Sequence, residues 1–440
     1  MVRQADVRIA VAAANPAPLV GPPDATPLPR SASSLWTGIA GIAAAIAAIV
    51  LLRDWLQPSW LKALAVLGAA AAAMLVVDVL VYRVQHNPTT GLAQQPLRPL
   101  NPLRVVQKLV GFWLTIGVLV LAYVVLPPFA ADLFAPFREA ALWCLPALLV
   151  ASPFYIAFVD QRQRDPVDAY AQLAMLLGGN RPDNWTLLLV HARGWVVKGF
   201  FLPLMFAYCS NDLAGLWAGG LLPPPNDFEK IFSRLIDLFY LFDILLAVIA
   251  YTLTLRLIDT HIRSVEPTVG GWLVCLMCYP PFNDVTGKFL PYDQDGLFWG
   301  KLFAPYPVLY VIWGSLILLL VFVYMWSTAA FGLRFSNLTN RGIITSGPYR
   351  WLKHPAYICK NLSWWLISVP FVAGAGWTVA LQSCVLLGGV NLIYFLRAKT
   401  EERHLSQDPA YRDYAAFIAR DGLVARLMRG RRRAGLRPAT

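Results

Sequence analysis

Apolar blocks about 20 residues long recur along this chain and limit what it can fold into. They lie at roughly 35–52, 60–82, 108–126, 140–159, 194–209, 232–255, 305–330, 361–376 and 379–396. A helix of about 20 predominantly apolar residues crosses the hydrocarbon core of a bilayer. Within lipid every backbone polar group needs an internal partner, which leaves only helices and closed barrels. A barrel would need short segments of alternating polarity, and these are absent. Composition agrees, with 14% charged residues and 58% hydrophobic, against about 25% charged in soluble domains. The fold class expected is all-α: a polytopic helical membrane protein with about 9–10 transmembrane helices. We expect a multi-pass protein integral to a bacterial inner membrane.

Charge orients the chain. The net charge is +12, and residues 420–440 hold seven arginines and one aspartate. A basic tail marks the cytosolic side or binds anionic headgroups; the first reading is favoured. No nucleic-acid-binding module accompanies the charge, so nucleic acid is not an expected partner. The basic stretches 83–108 and 160–193 read as cytosolic, and the acidic, proline-bearing stretch 210–230 as external. On this map seven spans precede residue 331. An extra crossing between 265 and 303, or a leader that starts outside, is then required for the motif stretch to lie on the basic side. Residues 1–34, rich in Ala and Pro, read as a disordered leader.

Several charged residues fall inside or beside the apolar blocks. Asp78 is read as reaching the interface beside Tyr82 and Arg83. Arg234 and Asp237 stand at i,i+3, a spacing that allows pairing on one face. Asp243 lies mid-span, with Lys198 as its candidate partner. Such residues line a polar cavity or form a buried structural pair. Cys275-Leu-Met-Cys278 has metal-ligand spacing but no second pair, so no metal site is expected.

Chemistry concentrates near the C-terminal end. The stretch Gly347-Pro-Tyr-Arg-Trp-Leu-Lys-His-Pro-Ala-Tyr357 is polar and aromatic between apolar runs. After a hairpin turning at Gly374-Ala-Gly376 comes Phe395-Leu-Arg-Ala-Lys-Thr-Glu-Glu402, and then Tyr411 and Tyr414. So short a turn makes the two helices antiparallel, placing His354 beside Glu402. At about 100° per residue, Asn391, Tyr394, Ala398, Glu401, Glu402 and Leu405 share a face. Gly347 permits a left-handed or close backbone turn, and Pro355 suits the first position of a helix.

Gly-x-Tyr, Lys-His-Pro-x-Tyr, a helical hairpin, Arg-x-x-x-Glu-Glu and Tyr-x-x-Tyr, in this order, closely resemble a membrane methyltransferase family. That family includes isoprenylcysteine carboxyl methyltransferases and phospholipid N-methyltransferases. The resemblance implies S-adenosylmethionine as cofactor. It implies cofactor binding by Gly347, Tyr349, Lys353, His354, Pro355, Tyr357, Glu401 and Glu402, and catalysis by Arg397 and Glu401. It further implies methyl transfer to a lipophilic or lipid acceptor at the membrane–cytosol boundary, with membrane lipids around it. Arg397 is read either as holding a substrate carboxylate or as pairing with Glu401 at i,i+4. The chain departs from the family pattern at Cys359, Lys360, Asn361 and Pro409-Ala410. The domain expectation is a leader (1–34), an N-terminal transmembrane bundle (35–303), a catalytic core (304–420) and a basic tail (421–440). Two rival readings are an NADPH-dependent membrane reductase of the sterol-reductase type and a non-catalytic transporter or scaffold. The pairing of Lys-His-Pro-x-Tyr with Glu-Glu argues against the reductase.

Overall fold

The computed structural model describes residues 27–53, 57–95, 97–220, 223–293, 296–372, 374 and 376–435. Most of the expected leader lies outside these residues. The bundle begins with α1 (Leu35–Leu51) and α2 (Ser59–Val76), the latter continuing through a π-helical turn at Val77–Val81. Their small residues allow close approach, as expected for helices in lipid. A side chain at Gly41 would overlap Met74, and Ala45, Ala63 and Ala70 are buried between them. Next come α3 (Pro102–Val125), α4 (Ala135–Asp160), the short α5 (Ala169–Leu177), α6 (Trp185–Ala218) and α7 (Phe228–Thr252). Three short helices follow: α8 (Val269–Leu276), α9 (Phe282–Phe289) and α10 (Trp299–Phe303). Then come α11 (Pro307–Phe331), α12 (Pro355–Ser368), α13 (Trp377–Leu405), α14 (Pro409–Asp421) and α15 (Leu423–Gly435). Among the described residues, α2 with its π turn, α3, α4, α6, α7, α11 and α13 are long and apolar enough to cross a membrane. This is an all-α, polytopic, integral membrane protein.

Contacts fix the direction of each pass. At one end, Ser34 of the α1 N-cap donates to Tyr82 after α2. At the same end, Arg104 of α3 forks onto Asp160 at the end of α4 through two bonds of 2.8 and 2.7 Å. Gly194 in α6 lies against Ile262 and Val265, just beyond α7. At the other end, Trp217 of α6 donates to the Ile49 carbonyl of α1, and Arg234 of α7 to the Gly219 carbonyl. The expected Arg234–Asp237 pair is therefore not formed. The guanidinium instead satisfies a carbonyl at the C-terminal end of α6, a favourable place for a cation.

The segment 265–303 supplies the crossing that parity demands, in pieces. It starts at the first end, where β1 (Ser264–Val265) pairs antiparallel with β2 (Thr339–Asn340). Tyr279 then packs on Phe201 in the middle of α6, and Leu290 reaches Gly389 in the middle of α13. Trp299 arrives at the second end, against Phe232 of α7 and Tyr310 of α11. Pro280 and Pro281 interrupt the helix, and α9, which follows them, has no buried residue. Counting α1, α12 and this broken passage with the seven long apolar helices gives ten passes among the described residues, and α1 begins and α13 ends at the first end. Connections at the second end, 52–58, 126–134, 219–227, 290–306 and 369–376, hold only Arg53 and Lys301 of the 37 Lys and Arg. The first end is the basic end.

Charges inside the bundle are partnered differently from the sequence expectation. Asp78 does not reach an interface. It is 1% exposed, accepts from Thr37 at 2.5 Å and lies 3.8 Å from Arg334. Asp243 does not meet Lys198. Its oxygens accept from Tyr324 at 2.6 Å and Thr328 at 2.5 Å, both on α11. In each case a neighbouring helix offers a hydroxyl, a pairing that no local spacing reveals.

Candidate functional site

The site forms where α11, α12 and α13 meet the basic end. Gly347 adopts φ +59°, and a Cβ there would press on Ala330 at 3.1 Å. That left-handed residue turns the chain back along α11 and brings Tyr349 edge-on to Phe331 at 5.2 Å. Tyr414 of α14 locks the turn from behind, its hydroxyl donating to the Tyr349 and Leu352 carbonyls at 2.7 and 3.1 Å. Pro355 opens α12, with His354 at the N-cap. The helix starts at residue 355 and ends at 368, not 361–376 as the hydropathy suggested. The polar His-Pro-x-Tyr stretch thus belongs to the helix itself.

The antiparallel hairpin carries His354 and Tyr357 to the last turns of α13. His354 Nε2 lies 3.1 Å from Glu402 Oε1, and Tyr357 donates to Glu401 Oε2 at 2.9 Å. The imidazole stacks on the Tyr357 ring at 5.5 Å with 5° between planes. Lys353 at 3.6 Å and Lys399 at 3.0 Å complete the charge around Glu402. Halfway down, Asn391 accepts from Trp365 and donates to Asn361, both at 2.6 Å, tying the helices side by side. Arg397, 7% exposed, does not pair with Glu401. It donates to Asn337 at 2.7 Å, with its guanidinium over the rings of Tyr357 and Tyr279. The loop from α11 has captured it, leaving Glu401 to Tyr357.

That loop is held by Arg341, which is 2% exposed. Its guanidinium donates to the carbonyls of Thr260, Phe335 and Ala250 at 2.6, 2.8 and 3.0 Å. A cation suits the exposed carbonyls at the end of α7. Burial, helped by Arg334, pushes its pKa down to about 9. Beside it Asp259 gathers Thr89 and Asn87 at 2.7 and 3.0 Å and Arg263 and Arg334 at 3.2 and 3.3 Å. Burial pushes the Asp259 carboxyl up, but those hydrogen bonds and charges more than reverse it and hold it below the usual range. The described end of the leader is also fixed. Ala32 donates to the Ile343 carbonyl, and Thr345 bonds Ser31 and Pro29.

Between these elements lies a cavity of about 1050 Å³, including the part that opens to solvent. Its wall includes Tyr349, Lys353, His354, Tyr357, Arg397 and Glu401. A smaller one of about 370 Å³ adjoins it through Asn337, Thr339, Arg397 and Glu401. Asn337 Nδ2, Thr339 Oγ1 and Tyr411 Oη, all on residues of the cavity wall, are buried with no protein partner. Unpaired buried polar atoms are costly, so these positions suit a polar ligand.

Residues 308–407 match the model of the isoprenylcysteine carboxyl methyltransferase (ICMT) family. This segment of the chain is ICMT-like. No curated protein and no solved structure matches the chain. The ICMT-like segment runs from the first turn of α11 to just beyond α13, so it contains both motif stretches and the hairpin between them.

Of the residues singled out in the sequence, Tyr349, Lys353, His354, Tyr357, Arg397 and Glu401 line the ICMT-like cavity. Glu402 joins it through His354, while Gly347 and Pro355 shape the backbone. Asp237 is not among the lining residues, and Asp243 touches the wall through Tyr324 and Thr328. Sequence reasoning missed Asn337, Arg341 and Tyr279. The polar run Arg334-Phe-Ser-Asn-Leu-Thr-Asn-Arg341, next to a long apolar span, was a signal for the first two. Tyr279 follows the Cys-Leu-Met-Cys stretch, and no sequence spacing links it to the motif residues.

Proposed function

We propose that the protein transfers a methyl group from S-adenosylmethionine to a lipophilic acceptor, at the cytosolic boundary of the membrane. The observation that carries this reading is the union of the two motif stretches through His354–Glu402 and Tyr357–Glu401 at the wall of one cavity. S-adenosylmethionine supplies an electrophilic methyl on a sulfonium. The residues present fit its other groups. Glu401, oriented by Tyr357, suits an ammonium or ribose hydroxyls. Asn337, Thr339 and Tyr411 offer unpaired polar atoms, and Tyr349 and Tyr357 an aromatic wall for a base. Arg397, fixed by Asn337, places a rigid cationic fork at the junction of the two cavities. The cavity walls strip water from whatever they enclose, which strengthens each of these interactions. A carboxylate acceptor would then need orientation and desolvation, whereas an amine would first have to shed a proton.

The basic end is assigned to the cytosol. The concentration of Lys and Arg in its connections supports this, and a methyl donor made in the cytosol requires it. The test is calorimetry on the protein in nanodiscs. S-adenosylhomocysteine should bind and NADPH should not. Binding of NADPH alone would transfer the protein to the reductase reading.

A further inference from the structure

Away from the cavity, α15 has two unlike sides. It follows α14 after Gly422, where a Cβ would meet the Ile418 carbonyl at 2.5 Å and the Trp351 carbonyl at 3.0 Å. The chain passes this close to the motif turn, and the Leu423 N–H donates to the Trp351 carbonyl at 2.9 Å. α15 therefore starts at the basic end, against the residue that follows the turn Gly347–Arg350. Trp351 is exposed and packs on Trp326, in the last two turns of α11, with ring centroids 6.2 Å apart. Tryptophan beside the end of a spanning helix belongs to the headgroup level of a bilayer.

Over its first two turns α15 carries Leu423, Val424, Leu427 and Met428, at i, i+1, i+4 and i+5, gathered on an arc of about 140°. All four are 43 to 63% exposed. Arg426 and Arg429 fall on the opposite side, and the sequence runs on through Arg431-Arg432-Arg433. The acidic neighbour is Asp421, which Arg420 and Arg429 share at 2.7 and 3.2 Å. Residues 420–440 hold seven arginines against that one carboxylate.

A tail that only marked topology would need the charge and no apolar stripe. A helix meant for water would not gather four large apolar side chains on one face. A second copy of the same helix would bring arginines against arginines. A lipid leaflet satisfies both sides, with acyl chains for the stripe and anionic headgroups for the arginines. It is also within reach, because the first residue of α15 is bonded beside the Trp326–Trp351 pair.

We propose that α15 lies flat on the leaflet at the basic end, with its Leu423–Met428 stripe among the acyl chains and its arginines on anionic lipid headgroups. The partner is the anionic surface of the membrane that the protein already spans. The proposal does not rest on the methyltransferase reading.

The experiment uses the full chain in a cysteine-free background, one copy per nanodisc. A bimane fluorophore is attached at Val424→Cys, at Leu427→Cys or, on the other face, at Arg426→Cys, and acrylamide in the water is the quencher. The nanodiscs contain phosphatidylcholine alone, or phosphatidylcholine and phosphatidylglycerol in equal parts. In the mixed nanodiscs quenching at 424 and 427 should fall at least about threefold, as the stripe enters the leaflet, while the probe at 426 stays open in both. Met428→Asp interrupts the stripe and should leave the probe at 427 open in both lipids; a monodisperse particle reports that this variant is folded. Equal quenching at 427 in the two lipids, whether open or shielded in both, overturns the proposal even if Met428→Asp fails to fold. Shielding at 424, 426 and 427 alike, the pattern of a helix buried in protein, overturns it too. So does undiminished shielding at 427 in folded Met428→Asp. With one copy in each nanodisc, a second copy cannot supply the shielding.

Discussion

Tyr357→Phe isolates a single hydrogen bond at the centre of the candidate site. The ring makes three contacts that phenylalanine keeps: the stack on His354, the edge to Tyr394 and the face beneath Arg397. What disappears is the hydroxyl donating to Glu401 Oε2 at 2.9 Å. A hydrogen bond to a charged group contributes about 1.5–3 kcal/mol. The pair is only partly buried, so a value around the lower end of that range applies, about 1–2 kcal/mol. If the bond orients Glu401 for the cofactor, affinity for S-adenosylhomocysteine falls about 5- to 30-fold, at 1.4 kcal/mol per tenfold. Titration calorimetry on wild type, Tyr357→Phe, Glu401→Gln and the double variant completes a cycle. The amide introduced by Glu401→Gln still accepts from Tyr357 but more weakly, so a coupling of roughly 0.5–1 kcal/mol is expected. Full additivity, or an affinity for Tyr357→Phe within twofold of wild type, refutes the idea that this bond serves the site.

Three further outcomes follow from the same geometry. Arg341→Met strands the carbonyls of Ala250, Phe335 and Thr260, each costing about 1–3 kcal/mol if left unsatisfied; thermal inactivation in detergent should move to markedly lower temperature, and an unchanged midpoint would count against the anchoring role. Asp259 sits at φ +56°, where Asn is tolerated, so Asp259→Asn removes charge without backbone strain and leaves buried Arg334 underpaired, at a cost of about 3–5 kcal/mol. Because the Asp259 carboxyl titrates below its usual range, its contribution is complete above about pH 4 and is lost in stronger acid; the stability gap between wild type and Asp259→Asn should narrow only there. In a cysteine-free background, Gly374→Cys should react with an impermeant thiol reagent outside intact cells while Ala434→Cys stays protected, and the reverse pattern would place the methyl donor on the wrong side.

Legibility differed between kinds of information. The long spans announced themselves because lipid demands uninterrupted apolar length, and α3, α7 and α11 fall close to where hydropathy put them. The hairpin contact of His354 with Glu402 was legible because a short turn between two helices leaves one antiparallel arrangement. The missing crossing was legible only as a parity requirement. Its helices α8 and α9 are each too short to signal a span, and its packing on Phe201 and Gly389 is tertiary. Buried charges were the least legible. Asp78, Asp243 and Arg397 each had a plausible partner nearby in sequence or on an adjacent span. Each instead took a hydroxyl or amide from an element dozens of residues away, and Asp78 also lies 3.8 Å from Arg334.

The short N-terminal segment that lies along the motif loop has a consequence for how the protein is made. Ser31 and Ser346 are hydrogen-bonded partners 315 positions apart. A ribosome adding about 5–20 residues per second produces the second serine roughly 16–60 s after the first. For that interval residues 29–33 lack the motif loop they bond in the finished protein, and eight of the ten passes must be laid down before it exists. The start of α1 and the end of α11 therefore come together late, and the turn at Gly347 acquires its final shape only when the segment before α1 closes over it. Contacts of such sequence separation are slow to form. A tag or fusion placed against residue 27 would act on this closing step, on assembly of the site, before it acted on anything the finished site does.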